Sequence, residues 1–108
     1  MKTGNYKFNH VGVPTDKVQE NEMYFEDLML YATDPSQTEY FIEYLRPAPG
    51  CTFFPVLLEN PHVSYQVEDM DAALEGEKVI VEPFEVAPGL WIAFIEVNGF
   101  IFELACNK

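Results

Sequence analysis

The chain has 108 residues, with 18 Asp and Glu against 6 Lys and Arg and a formal net charge of -12. That length suits a single core. The charge excludes ordinary nucleic-acid binding and attachment to anionic membrane surfaces, because both need Lys and Arg to displace counterions. It suits instead a small-molecule ligand that is neutral, cationic or held through a metal.

Hydrophobic residues at 48% and aromatics at 15% supply a core and argue against disorder. The N-terminal MKTGNYKFNH has no apolar stretch of the kind that directs export, and the longest apolar run, residues 90–95, is too short to span a bilayer. A cytoplasmic protein is therefore expected. Cys51 and Cys106 lie too far apart to form a disulfide framework and read as free thiols.

In chain order, residues 7–13 are rich in β-formers, and Pro14 with Asp16 ends the run. Residues 17–26 (KVQENEMYFE) are acidic, with their apolar members bunched at the end, and are expected to be loop with at most one helical turn. Residues 28–32 and 39–45 read as two further strands, each closed by a Pro-containing turn. A loop through Pro61 leads to a strand at residues 62–67. Asp69-Met70-Asp71-Ala72-Ala73-Leu74-Glu75-Gly76 then carries an N-capping acid, good helix formers and a glycine stop, the pattern of a short helix. Strands follow at residues 79–82, 90–97 and 100–106, the last two joined by Asn98-Gly99, which favours a type I′ hairpin turn.

The two halves echo each other. Asn9-His10-Val11-Gly12-Val13 parallels Pro61-His62-Val63-Ser64-Tyr65, and each half later has one Glu among apolar residues, in Phe41-Ile42-Glu43-Tyr44-Leu45 and Ile101-Phe102-Glu103-Leu104-Ala105. The first His-to-Glu interval is shorter by about the length of a short helix. Strand alternation puts His10 on one face with Phe8 and Gly12, and His62 with Ser64 and Gln66. Those faces have room beside each imidazole and are candidates to line a cavity. Glu43 and Glu103 lie among apolar neighbours, where an ionised carboxylate is costly unless something cationic compensates it. With Lys and Arg so scarce, a divalent metal is the natural candidate.

These motifs resemble the vicinal oxygen chelate superfamily, which includes glyoxalases, extradiol dioxygenases, bleomycin-resistance proteins and methylmalonyl-CoA epimerases. The resemblance rests on Asn9-His10-Val11-Gly12-Val13, Ile42-Glu43-Tyr44-Leu45, His62, the junction Val67-Glu68-Asp69-Met70-Asp71-Ala72-Ala73-Leu74 and Asn98-Gly99-Phe100-Ile101-Phe102-Glu103-Leu104. It implies an α+β fold of paired βαβββ modules, a curled mixed sheet forming a glyoxalase-like cup. Residues 1–108 would form one domain with module one at about 5–50 and module two at about 61–108, the first lacking most of its helix. It also implies that His10, Glu43, His62 and Glu103 hold a divalent metal such as Zn, Ni, Mn or Fe. Glu43 or Glu103 would move a proton in lyase or isomerase chemistry on a small oxygenated substrate, and the protein would form a homodimer. Glu43 stays open between fourth ligand, base facing the substrate and surface carboxylate. Ser64, Gln66 and Arg46 are weaker candidates to line the substrate site, and Arg46 suits a surface ion pair better. Two other functions fit the same resemblance: a metal-free, dimeric drug-binding protein of the bleomycin-resistance kind, favoured by the acidic charge, and an extradiol dioxygenase.

Overall fold

The computed structural model describes residues 4–52 and 55–107. Contacts divide the chain into two compact units, one of His10–His62 and one of Met1–Asn9 with Val63–Lys108. The divisions fall inside β1 (Lys7–Pro14) and β5 (His62–Gln66), so each of these strands begins in one unit and ends in the other.

In the unit of His10–His62 the other strands are β2 (Met23–Phe25), β3 (Leu30–Ala32) and β4 (Ile42–Pro47), in the order β2-β3-β4-β1. β1 and β4 pair in parallel, with Gly12 beside Glu43, while β2-β3 and β3-β4 are antiparallel. Leu30, Ala32 and Leu45 form a small core, with Leu28 and Leu58 packed against it.

In the other unit, β5 is followed by α2 (Met70–Leu74), β6 (Lys78–Ala87), β7 (Leu90–Val97) and β8 (Phe100–Asn107), in the order β5-β8-β7-β6. The Asp69 carboxylate accepts from the Ala72 backbone N–H at 3.1 Å and so caps α2. Gly76, at φ 76°, takes the left-handed conformation just past its end. Met70 and Ala73 of α2 pack with Val67, Ala93, Ile95, Leu104 and Cys106 into one buried cluster. Asn98 and Gly99 both have positive φ, as the type I′ turn requires. Cys51 and Cys106 are free thiols.

The class is α+β with mixed strand pairing, as expected, and each unit repeats one strand order: second, third, fourth, first. Where the second unit places α2 between its first two strands, the first has only turns and bends through residues 15–22.

Four local expectations are corrected. Residues 23–25, expected as loop, form strand β2. All three are exposed, so they show no inside-outside alternation, and their pairing comes from β3, where Tyr24 meets Tyr31 with ring centroids 4.7 Å apart. The strand expected over residues 39–45 begins only at Ile42, because Tyr40 and Phe41 both take left-handed conformations (φ 60° and 55°). The Thr38 hydroxyl donates to the Ile42 carbonyl at 2.5 Å and tightens that turn. The expected loop after Gly50 contains a helix, α1 (Pro55–Glu59), which buries Leu57. Proline suits a first helical position, and five residues are too few to display a period. β6 runs past Glu82 to Ala87, carrying Pro83 at a register shift between Val81 and Phe84. It ends the strand order, and an edge strand tolerates a residue with no N–H to donate.

Among the described residues no helix is long and apolar enough to cross a membrane.

Candidate functional site

Within the unit of His10–His62, β1 presents His10 and Gly12 on one face, and the parallel register adds Glu43 of β4 beside Gly12. His10 Nε2 lies 3.5 Å from Glu43 Oε1. The His10 and His62 rings meet edge to face with centroids 5.9 Å apart. Both imidazoles are buried, at 7% and 1% exposure. The Glu43 side chain keeps 25% of its surface open to solvent.

Gly12 makes this arrangement possible. A Cβ built on it would overlap the His62 imidazole, so the ring occupies space that any other residue would fill. Strand alternation already put a small residue beside His10, and the structure shows that the room is taken by the other histidine.

Burial chiefly, and the neighbouring His10 next, push the His62 pKa down from 6.5 to about 4, while Glu43 opposes the shift. His62 is thus a neutral imidazole at pH 7, the form that can ligate a metal. Two imidazoles with ring centroids 5.9 Å apart are able to reach one ion, since a zinc-to-nitrogen bond is about 2.0–2.1 Å.

In the other unit, Glu103 lies mid-strand on β8, paired in register with Phe94 of β7. Alternation gives it Ile101 and Ala105 as same-face neighbours, and all of these residues are buried. A carboxylate in such surroundings needs polar support. Ser64, fully buried on β5, donates its hydroxyl to Glu103 Oε1 at 2.6 Å. His62 and Ser64 are two residues apart on β5 and share one face of it. His10, His62 and Glu103 are all buried, and each offers an atom able to ligate a metal.

The remaining candidates are placed differently. Gln66 is half-buried at the end of β5. The Arg46 guanidinium binds the Glu22 carboxylate through both Nε and Nη2, and lies 4.0 Å from the centre of the Tyr31 ring. That pairing holds Glu22 below the usual carboxylate range and Arg46 above its ordinary value. Arg46 is therefore engaged in a partly buried ion pair just before β2. The bond between Ser64 and Glu103 has no signal in sequence spacing, because it depends on which strands adjoin in the fold.

No protein-family model matches the chain, and no curated protein matches it. Among solved structures it is similar to a hypothetical protein from Bacillus halodurans C-125, with a TM-score of 0.71 at 16% identity over 96% of this chain and 96% of that one. It is also similar to methylmalonyl-CoA epimerase from Mycobacterium tuberculosis, with a TM-score of 0.63 at 17% identity over 94% of this chain and 88% of that one. The chain thus shares the fold of these two proteins.

Proposed function

We propose that the protein is a glyoxalase-like, divalent-metal-dependent isomerase or lyase that moves a proton next to a carbonyl of a small substrate. The observation that carries this reading is the convergence of buried His10 and His62 with the partly open Glu43 around the bare Gly12. His10, His62 and Glu103 are the proposed metal ligands. Imidazole nitrogens with a carboxylate oxygen suit Zn, Ni, Mn or Fe. A divalent ion bound there supplies Lewis-acid stabilisation of negative charge developing on a substrate oxygen. Glu43 is assigned the proton transfer: its side chain is the more solvent-accessible of the two carboxylates, as a group that must meet substrate has to be. It takes the proton from the carbon beside the carbonyl and returns it to that carbon or a neighbouring one, so no net charge is lost or gained. The likeness to an epimerase fold agrees with such chemistry.

The charge narrows the substrate class. Phosphate groups are held by Lys and Arg, and this chain has 6 in all, with its single Arg committed to Glu22. A substrate without phosphate groups is therefore preferred over a coenzyme A ester. The test is α-proton exchange in D2O, followed by NMR, for hemithioacetals, small 2-hydroxy and 2-methyl carbonyl compounds and a coenzyme A thioester, using metal-loaded protein. Exchange on an unphosphorylated compound, slowed about 10²–10⁴-fold by Glu43→Gln, is the expected outcome. Absence of exchange throughout the panel, or exchange indifferent to Glu43→Gln, contradicts the assignment.

A further inference from the structure

We infer that Ser64 is a positioning residue that sets the Glu103 carboxylate for metal binding, an inference that rests on the metal-ligand reading above. Ser64 is fully buried, and its hydroxyl hydrogen is directed to Glu103 Oε1 at 2.6 Å. That length belongs to charge-assisted O–H···O⁻ bonds, the stronger class. A serine hydroxyl has one hydrogen to give. With it committed to Glu103, Ser64 has none left to donate to a substrate, so lining the substrate site is not its principal role.

The terminal torsion of a glutamate is broad and defines no single carboxylate orientation by itself. In β8 the neighbours of Glu103 on its own face, Ile101 and Ala105, and its cross-strand partner Phe94 are apolar and supply no hydrogen bond to orient it. The Ser64 hydroxyl supplies such a restraint. Ser64 shares a face of β5 with His62, two residues away. Partners that orient a ligand in this way typically contribute 10–100-fold to metal affinity.

The experiment titrates Co²⁺ into metal-free, full-length protein and follows visible absorption, with thermal unfolding recorded for each variant. Ser64→Ala is expected to bind Co²⁺ about 10–100-fold more weakly and with a shifted absorption spectrum, whereas Ser64→Thr, which keeps the hydroxyl, restores the wild-type spectrum. In a Glu103→Gln background, Ser64→Ala is expected to add no further loss. Wild-type affinity and spectrum in Ser64→Ala would overturn the inference while leaving the metal reading intact. An undiminished Ser64→Ala loss in the Glu103→Gln background would also overturn it, since Ser64 would then act independently of Glu103. If wild-type protein binds no Co²⁺, the metal reading itself fails and this inference falls with it. Should Ser64→Ala not fold, Ser64→Cys, which roughly keeps the volume and weakens the donor, carries the same comparison.

Discussion

In the unit that contains Val63–Lys108, strands of 8 and 10 residues and a capped helix bury Val67, Met70, Ala93, Ile95, Leu104 and Cys106 together. In the unit of His10–His62, which repeats the same strand order, β2 and β3 have 3 residues each and the buried cluster is Leu30, Ala32 and Leu45. Both proposed imidazole ligands belong to this unit of short β2 and β3 strands. Its geometry at the site is set by close approach, with Gly12 under the His62 ring, and by local hydrogen bonds, with the Thr33 hydroxyl accepting from the Tyr44 N–H at 2.8 Å and the Thr38 hydroxyl bonded to Ile42. Among the described residues one unit shows the larger apolar cluster, and the other combines a smaller one with a close steric fit and short polar contacts. Substitutions should therefore separate stability from binding.

The largest expected effect breaks the larger core. Leu104→Ala, at a site with no exposure, should cost near the top of the about 2–5 kcal/mol range for buried leucines, and Leu45→Ala, slightly exposed and in a smaller cluster, near the bottom. Urea unfolding of the two variants measures the difference, and equal losses would erase the contrast between the units.

Acid titrates the other side of the comparison. Because the folded pKa of His62 lies below 6.5, the unfolded chain takes up its proton first. The contribution of His62 is therefore fully present above about pH 6.5, is lost as pH falls toward about 4, and is level below that. At about 1.4 kcal/mol per unit this amounts to about 3 kcal/mol in metal-free protein. Urea unfolding across that interval should show a steeper fall for wild type than for His62→Gln.

Gly12→Ala should cost about 1–3 kcal/mol through overpacking. It should also weaken metal binding, since the His62 ring must swing away from the new Cβ. Calorimetric metal titration beside thermal unfolding separates the two effects. At the small end, Asp69→Ala removes the cap of α2 and should lower stability by about 1 kcal/mol without altering metal affinity.

Much of the fold was legible in the sequence where local chemistry and tertiary environment agree. Asp69 and Gly76 bound a helix wherever they occur in this pattern, Asn98-Gly99 specifies its own turn, and the long strands β7 and β8 carry enough apolar residues to declare themselves. β2 was not legible, because Met23, Tyr24 and Phe25 are all exposed and owe their conformation to β3. Nor was the passage of β6 through Pro83, which is possible only because that strand ends the order. The site divides in the same way. Alternation along β1 and β5 correctly grouped His10 with Gly12 and His62 with Ser64, since a strand fixes its own faces. The placement of the His62 ring over Gly12, the bond from Ser64 to Glu103 and the capture of Arg46 by Glu22 all depend on strand adjacency, which spacing does not encode.

In the proposed site the two histidines hold a divalent ion. Its most direct test is the metal stoichiometry of protein purified without a metal-affinity column and equilibrated with Mn²⁺, Co²⁺, Ni²⁺ or Zn²⁺. Binding of one ion per chain by at least one of these metals, lost in folded His10→Ala and His62→Ala, is the predicted result. Sub-stoichiometric metal throughout, or binding that both substitutions leave unchanged, would contradict it.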